Sequence, residues 1–172
     1  MHGRFSSFGK NFSSRRGHAA ITALALAALI GFGALAVDIG VVRVARTQLQ
    51  TSLDAAALSG ATELDGTAEG IDAAEARVLE YAAYNQVLRH GVEIDPTDIE
   101  IGTWDAGAGS FAVWAGGEDP LPVNAVRVAH SIPAISAVLS HVAFGSASFR
   151  VEATSLALRP LESDPSQLED QP

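Results

Sequence analysis

The chain has 172 residues, no cysteine and a formal net charge of −9. Thiol catalysis, disulfides and cysteine-based zinc sites are therefore excluded. The acidic balance also argues against nucleic acid as a partner, because phosphates would be repelled.

Residues 1–18 hold Arg4, Lys10, Arg15 and Arg16 and no acid, so they carry +4 and leave −13 on residues 19–172. A basic head and an acidic body imply two different surroundings. From Ala19 to Val37 no residue is charged, and Thr22 is the only polar side chain. Nineteen helical residues span about 28 Å, close to the hydrocarbon thickness of a bilayer. A buried core helix of that length would show a polar stripe, and this stretch has none. The sequence thus predicts a basic cytoplasmic segment over residues 1–18 and a transmembrane helix over 19–40. The larger basic charge on the N-terminal flank predicts N-terminus in, C-terminus out. That places the chain in the inner (cytoplasmic) membrane as a single-pass protein, with membrane lipid as one partner.

A cleaved signal peptide is the competing reading, because Ala34-Leu35-Ala36 is an A-x-A site that would release a soluble exported binding module. The helical pattern does not stop there, however. Val37, Val41, Ala45, Leu49, Leu53 and Ala56 continue at spacings of three and four, which favours an uncleaved signal anchor. Small residues form a stripe within the span: Ala23, Ala27 and Gly31 recur every four residues, with Ala36 and Gly40 offset beyond them. Such spacing lets two helix backbones approach closely in lipid, so these five are candidates for helix packing. Asp38 lies just past the apolar run. There a carboxylate stays solvated at the outer boundary, or meets a basic group on a neighbouring subunit; at mid-bilayer it would cost about 2.5–3.5 kcal/mol.

Residues 41–159 read as an extracytoplasmic α+β domain. The first helix continues over about 41–60 with an amphipathic face. Its run Asp54-Ala55-Ala56-Ala57-Leu58-Ser59-Gly60-Ala61 has few bulky groups, which suits another element packing closely. A second helix is expected over about 72–90, stopped by Gly91. Beyond Pro96 the apolar period changes to two, predicting strands at about 98–104, 111–115, 124–131 and 148–158. A short inserted helix is expected over about 133–143, with Pro133 in its first turn. The small sheet should be antiparallel, with Trp104 and Trp114 as an aromatic pair across its first hairpin. Residues 160–172, "PLESDPSQLEDQP", are nearly devoid of apolar groups and read as a disordered acidic tail.

No catalytic constellation emerges. None of His2, His18, His90, His130 and His141 has a helical i, i+4 partner of metal-ligand type. Gly107 and Gly109 sit in a hairpin turn, not in a phosphate-binding loop, and no Gly-x-Ser-x-Gly elbow occurs. Asp95, Asp98 and Glu100 lack the spacing of a Ca²⁺ loop and read as solvated acids at a strand entrance. The expectation is no enzyme, no cofactor, no metal site and no small-molecule substrate.

The ordered pieces Gly17, the apolar span, Ala36-Val37-Asp38-Ile39-Gly40, Gln48-Leu49-Gln50 and Asp54-Ala55-Ala56-Ala57-Leu58-Ser59-Gly60-Ala61 resemble the N-terminal segment of TadG-like (TadE/TadG-type) proteins of the Tad Flp pilus-assembly group. "VEIDPTDIEIGTWD", "NAVRVAH" and "FGSASFRVEATSLAL" are similar to the extracytoplasmic domain that often follows there. The resemblance covers residues 15–158. It implies a bitopic envelope protein tied to assembly or anchoring of an adhesive pilus, with other pilus or envelope subunits as partners through the N-terminal helix. Two positions depart from the pattern. Asp164-Pro165-Ser166-Gln167-Leu168 does not match the Asp-x-Ser-x-Ser metal motif of longer members, so metal-dependent adhesion is not implied. Thr22 stands where processed Flp-type prepilins carry Glu, counted from Gly17.

Overall fold

The structure, a computed structural model, describes residues 11–117, 119–136 and 148–159. It is α+β. Helix α1 spans Asn11–Ala61 and helix α2 spans Ala68–Ala83. The strands are β1 (Gln86–Val87), β2 (His90–Gly91), β3 (Ile99–Asp105), β4 (Ser110–Val113), β5 (Ala125–Ser136) and β6 (Ser148–Leu158), with a 3-10 turn at Pro96–Asp98. β1 and β2 form a small antiparallel hairpin, and the other four form one sheet in the order β4-β3-β5-β6. The chain divides into two units, Met1–Val41 with Ser136–Ser148, and Val42–Ile135 with Phe149–Pro172.

In the first unit, α1 carries the apolar run. No residue in its most apolar window of 18 is buried, and Leu24, Leu29, Ile30 and Phe32 are exposed. Among the described residues α1 is the one helix long and apolar enough to cross a membrane.

In the second unit, α1 buries Ala45, Leu49, Leu53, Ala56, Ala57 and Ala61, a face repeating every three to four residues. α2 answers with Ile71, Ala74, Val78 and Ala82. The close packing expected around residues 54–61 is present. A Cβ added at Gly60 would lie 2.4 Å from Val78 Cγ2 and 3.0 Å from the Ala74 carbonyl oxygen, so only glycine admits this approach. Thr67 caps α2, its hydroxyl accepting from the Gly70 N–H at 3.0 Å, and Asp65 Oδ1 accepts from the Thr67 N–H at 2.9 Å. The two hydrogen bonds from Thr67, hydroxyl and N–H, hold the Asp65 carboxyl below its ordinary value near 3.8.

α2 ends at Ala83, where the sequence suggested His90. The Asn85 amide donates to the Tyr81 carbonyl at 2.8 Å and closes the helix end. The chain then turns through Leu88 and Arg89, whose φ values are +49° and +70°. That is a primed hairpin turn made without glycine or asparagine.

One face of the sheet is apolar. Ile99 is paired with Val128, and Ile101 with Val126; Ile101, Val126 and Val128 are buried. A Cβ at Gly102 would lie 2.0 Å from the Ala112 carbonyl oxygen, so β4 approaches β3 only because that position has no side chain. β6 alternates regularly between buried and exposed residues along Val151, Ala153, Ser155 and Ala157. The expected strand over 148–158 is therefore observed. The expected helix over 133–143 is not borne out at its start. β5 runs on through Ser136, with Pro133 exposed and Ile135 buried within it, because its place between β3 and β6 in the sheet outweighs the helical spacing of Ile132 and Ile135. The rest of that expected helix, with His141, and the tail 160–172 lie outside the described residues.

Candidate subunit interface and its supports

The small residues on α1 have no packing reason within the described chain. Ala23, Ala27, Ala36 and Gly40 are exposed and Gly31 is half-buried. A Cβ placed at Gly31 or Gly40 would meet nothing within 4 Å. This contrasts with Gly60 on the same helix, whose size is dictated by α2.

Asp38 differs from its neighbours. It is 3% exposed, while Val37, Ile39 and Gly40 around it are open. The water expected around this carboxylate is displaced by its own chain.

Gln48 and Gln50, quoted above only as part of a resemblance, flank buried Leu49 and reach in different directions. Gln48 Oε1 accepts from the Leu88 N–H at 2.9 Å and so holds the strained hairpin turn. Gln50 Nε2 donates to the Thr154 carbonyl on β6 at 3.1 Å and to Asp54 Oδ1 at 2.7 Å. Polar residues on both sides of one core leucine could have signalled two packed neighbours, but not which ones.

Trp104 and Trp114 do not face each other. The register pairs Trp104 with Phe111 and Gly102 with Val113, and Trp114 donates its backbone N–H to the Ile101 carbonyl at 2.9 Å. The turn between the strands is four residues long, since Asp105 pairs with Ser110, and Asp105 Oδ1 closes it by accepting from the N–H groups of Gly107 and Ala108. On the face of the sheet that carries Trp104, Arg127 pairs with Glu100 across β3 and β5 and lies 4.4 Å over the Phe111 ring.

Asn124 secures the same region. Its Oδ1 accepts from the Trp104 N–H at 2.7 Å and its Nδ2 donates to the Trp104 carbonyl at 3.3 Å. Its backbone joins Gly102 and Arg159 at 3.0 and 2.7 Å.

The acids at the entrance to β3 are structural as well as solvated. Asp95 and Asp98 cap the 3-10 turn reciprocally, and Asp98 Oδ2 also meets His130 Nδ1 at 2.7 Å. His130 is thus a histidine satisfied by a carboxylate, and His90 Nδ1 lies 3.0 Å from the Leu88 carbonyl. Among the described residues no three metal-capable side chains gather. What the described residues offer is an exposed apolar stretch of α1 and a braced small domain.

The comparisons agree with that arrangement. The TadE/G-like Flp pilus-assembly model matches residues 17–63, nearly coincident with the apolar and amphipathic length of α1. A second model, Tad-like Flp pilus-assembly, matches residues 59–157, from the end of α1 through β6. No curated protein and no solved structure matches the chain. A pilus-assembly family implies a structural role and contact with other pilus or envelope subunits, and the apolar N-terminal helix fits a membrane anchor. With matches spanning residues 17–157, the chain belongs to the Tad-type Flp pilus-assembly family.

Proposed function

We propose that this protein is a single-pass subunit of the inner membrane with a structural, non-enzymatic role in a Tad/Flp-type adhesive pilus, as a minor pilin-like or assembly component. Its N-terminus lies in the cytoplasm and its second unit outside. The observation that carries this reading is that α1 is one unbroken helix, with no buried residue in its most apolar window of 18 and with a place in the domain core beyond Val42. Bare apolar helix belongs in lipid or against other helices, and Ala23, Ala27, Gly31, Ala36 and Gly40 would let a partner helix approach closely. Asp38, at the end of the apolar run, marks the membrane boundary.

Two measurements test this. The intact mass from washed membranes should be that of the uncleaved chain; a soluble form beginning at Val37 would overturn the anchor. Replacing Ala27→Leu together with Gly31→Leu should lower co-purification of other subunits by about tenfold, the effect of roughly 1.4 kcal/mol. Unchanged recovery would overturn packing through this stripe.

A further inference from the structure

We infer that the end of the second unit formed by the last turn of α2 and the Leu88–Arg89 hairpin docks on anionic lipid headgroups of the bilayer that α1 enters. The inference rests on the anchor reading.

Charge points first to this end. The body carries −13, yet residues 39–53 and 81–92 contain Arg43, Arg46 and Arg89 and no carboxylate. All three arginines are exposed, and among the described residues none is in an ion pair. Arg77, Arg127 and Arg150 each lie beside a glutamate. Of the acids next in line, Asp38 is buried, Asp54 accepts from Gln50, Glu80 is bound to Arg77 and Tyr84, Asp95 to its own turn, and Glu93 is open.

Aromatic placement is the second observation. The chain has two tyrosines. Both sit on this end, Tyr81 at 40% and Tyr84 at 72% exposure, edge to face at 6.1 Å. Tyrosine rings with a polar tip and arginines with long stems are the residues that sit at headgroup level.

Position is the third. The Gln48–Leu88 bond brings the hairpin tip alongside α1 one turn past exposed Val44. Each basic residue near an anionic surface contributes about a fivefold factor to association, and salt screens it.

The absence of native cysteine allows a direct test on the full chain in vesicles. A bimane label is attached after Gln86→Cys on the hairpin, or after Ala73→Cys at the far end of α2, both exposed positions. The vesicles carry nitroxide headgroup lipid in phosphatidylcholine, with or without phosphatidylglycerol. We expect quenching at position 86 to exceed that at 73 by about threefold on anionic vesicles, and to fall in about 0.5 M salt or with Arg43→Gln, Arg46→Gln and Arg89→Gln combined. Arg89→Gln alone and the salt series keep the test open if the triple variant misfolds. Equal quenching at both positions, or no dependence on lipid charge and salt, overturns docking while the anchor stands. A chain that alkaline carbonate strips from the vesicles overturns the anchor and docking together.

Discussion

Gln48 accepts the Leu88 backbone N–H at 2.9 Å, so a side chain on α1 fixes a turn 40 residues away in sequence. The turn needs the help. Leu88 and Arg89 both hold positive φ, which costs a side-chain-bearing residue about 1–2 kcal/mol in that region. Gln48→Ala should destabilise the second unit by roughly 1 kcal/mol and speed hydrogen exchange at Leu88. Arg89→Gly should leave stability unchanged or higher, because strain is released. A Gln48→Ala variant with unaltered exchange at Leu88 would mean the turn holds itself.

The α1–α2 contact at Gly60 admits no side chain. Gly60→Ala should cost about 1–3 kcal/mol, the usual cost of overpacking. Val78→Ala should recover part of that loss by removing the Cγ2 atom that clashes, while the Ala74 carbonyl at 3.0 Å stays in place. A double-mutant cycle by chemical denaturation reads the coupling directly. Strict additivity would show that the two residues do not meet.

Gly102→Ala should be worse and should resist rescue. The added Cβ would meet the backbone oxygen of Ala112 at 2.0 Å, and a backbone atom cannot be trimmed by mutation. We expect a loss above about 3 kcal/mol, or a β4 strand detached from the sheet. Amide exchange across Gly102–Asp105 distinguishes the two.

Asn124→Ala strips the Trp104 backbone of both its amide partners in a half-buried setting. The expected loss is roughly 2 kcal/mol, from leaving buried polar groups unpaired. Asn124→Asp should restore the acceptor for the Trp104 N–H but not the donor, and fall between. Tryptophan fluorescence during unfolding follows the change.

Acid should loosen both the start of α2 and the turn that leads into β3. The Asp65 carboxyl is held below its ordinary value of 3.8, so its contribution to stability is present above that pH and is lost as pH falls through the lower folded value. The same sign holds for Asp95, lowered by its bonds from the Thr97 backbone N–H and hydroxyl. Asp65→Ala should remove the pH dependence of exchange at Thr67 while leaving that at Thr97. Loss of both together would mean that one global transition controls the acid response.

Pattern alone was enough for the elements whose signal is local. The apolar run to Val37, the continuing three-four spacing through Ala56, and the alternation in β3 and β6 each report burial on one face, and burial on one face is what periodicity encodes. Family membership was also legible, because it rests on ordered pieces of sequence such as Asp54 to Ala61. Other features depend on residues distant in the chain. The hairpin at Leu88–Arg89 carries no glycine or asparagine, and α1 supplies its support. Residues 132–136 have helical spacing, yet the sheet claims them as strand. Trp104 meets Phe111 because the Asp105 turn sets the register, and Asp38 is buried although its neighbours in sequence are open. For the hairpin and the strand the deciding free energy comes from partners tens of residues away, and only the folded chain brings those groups together.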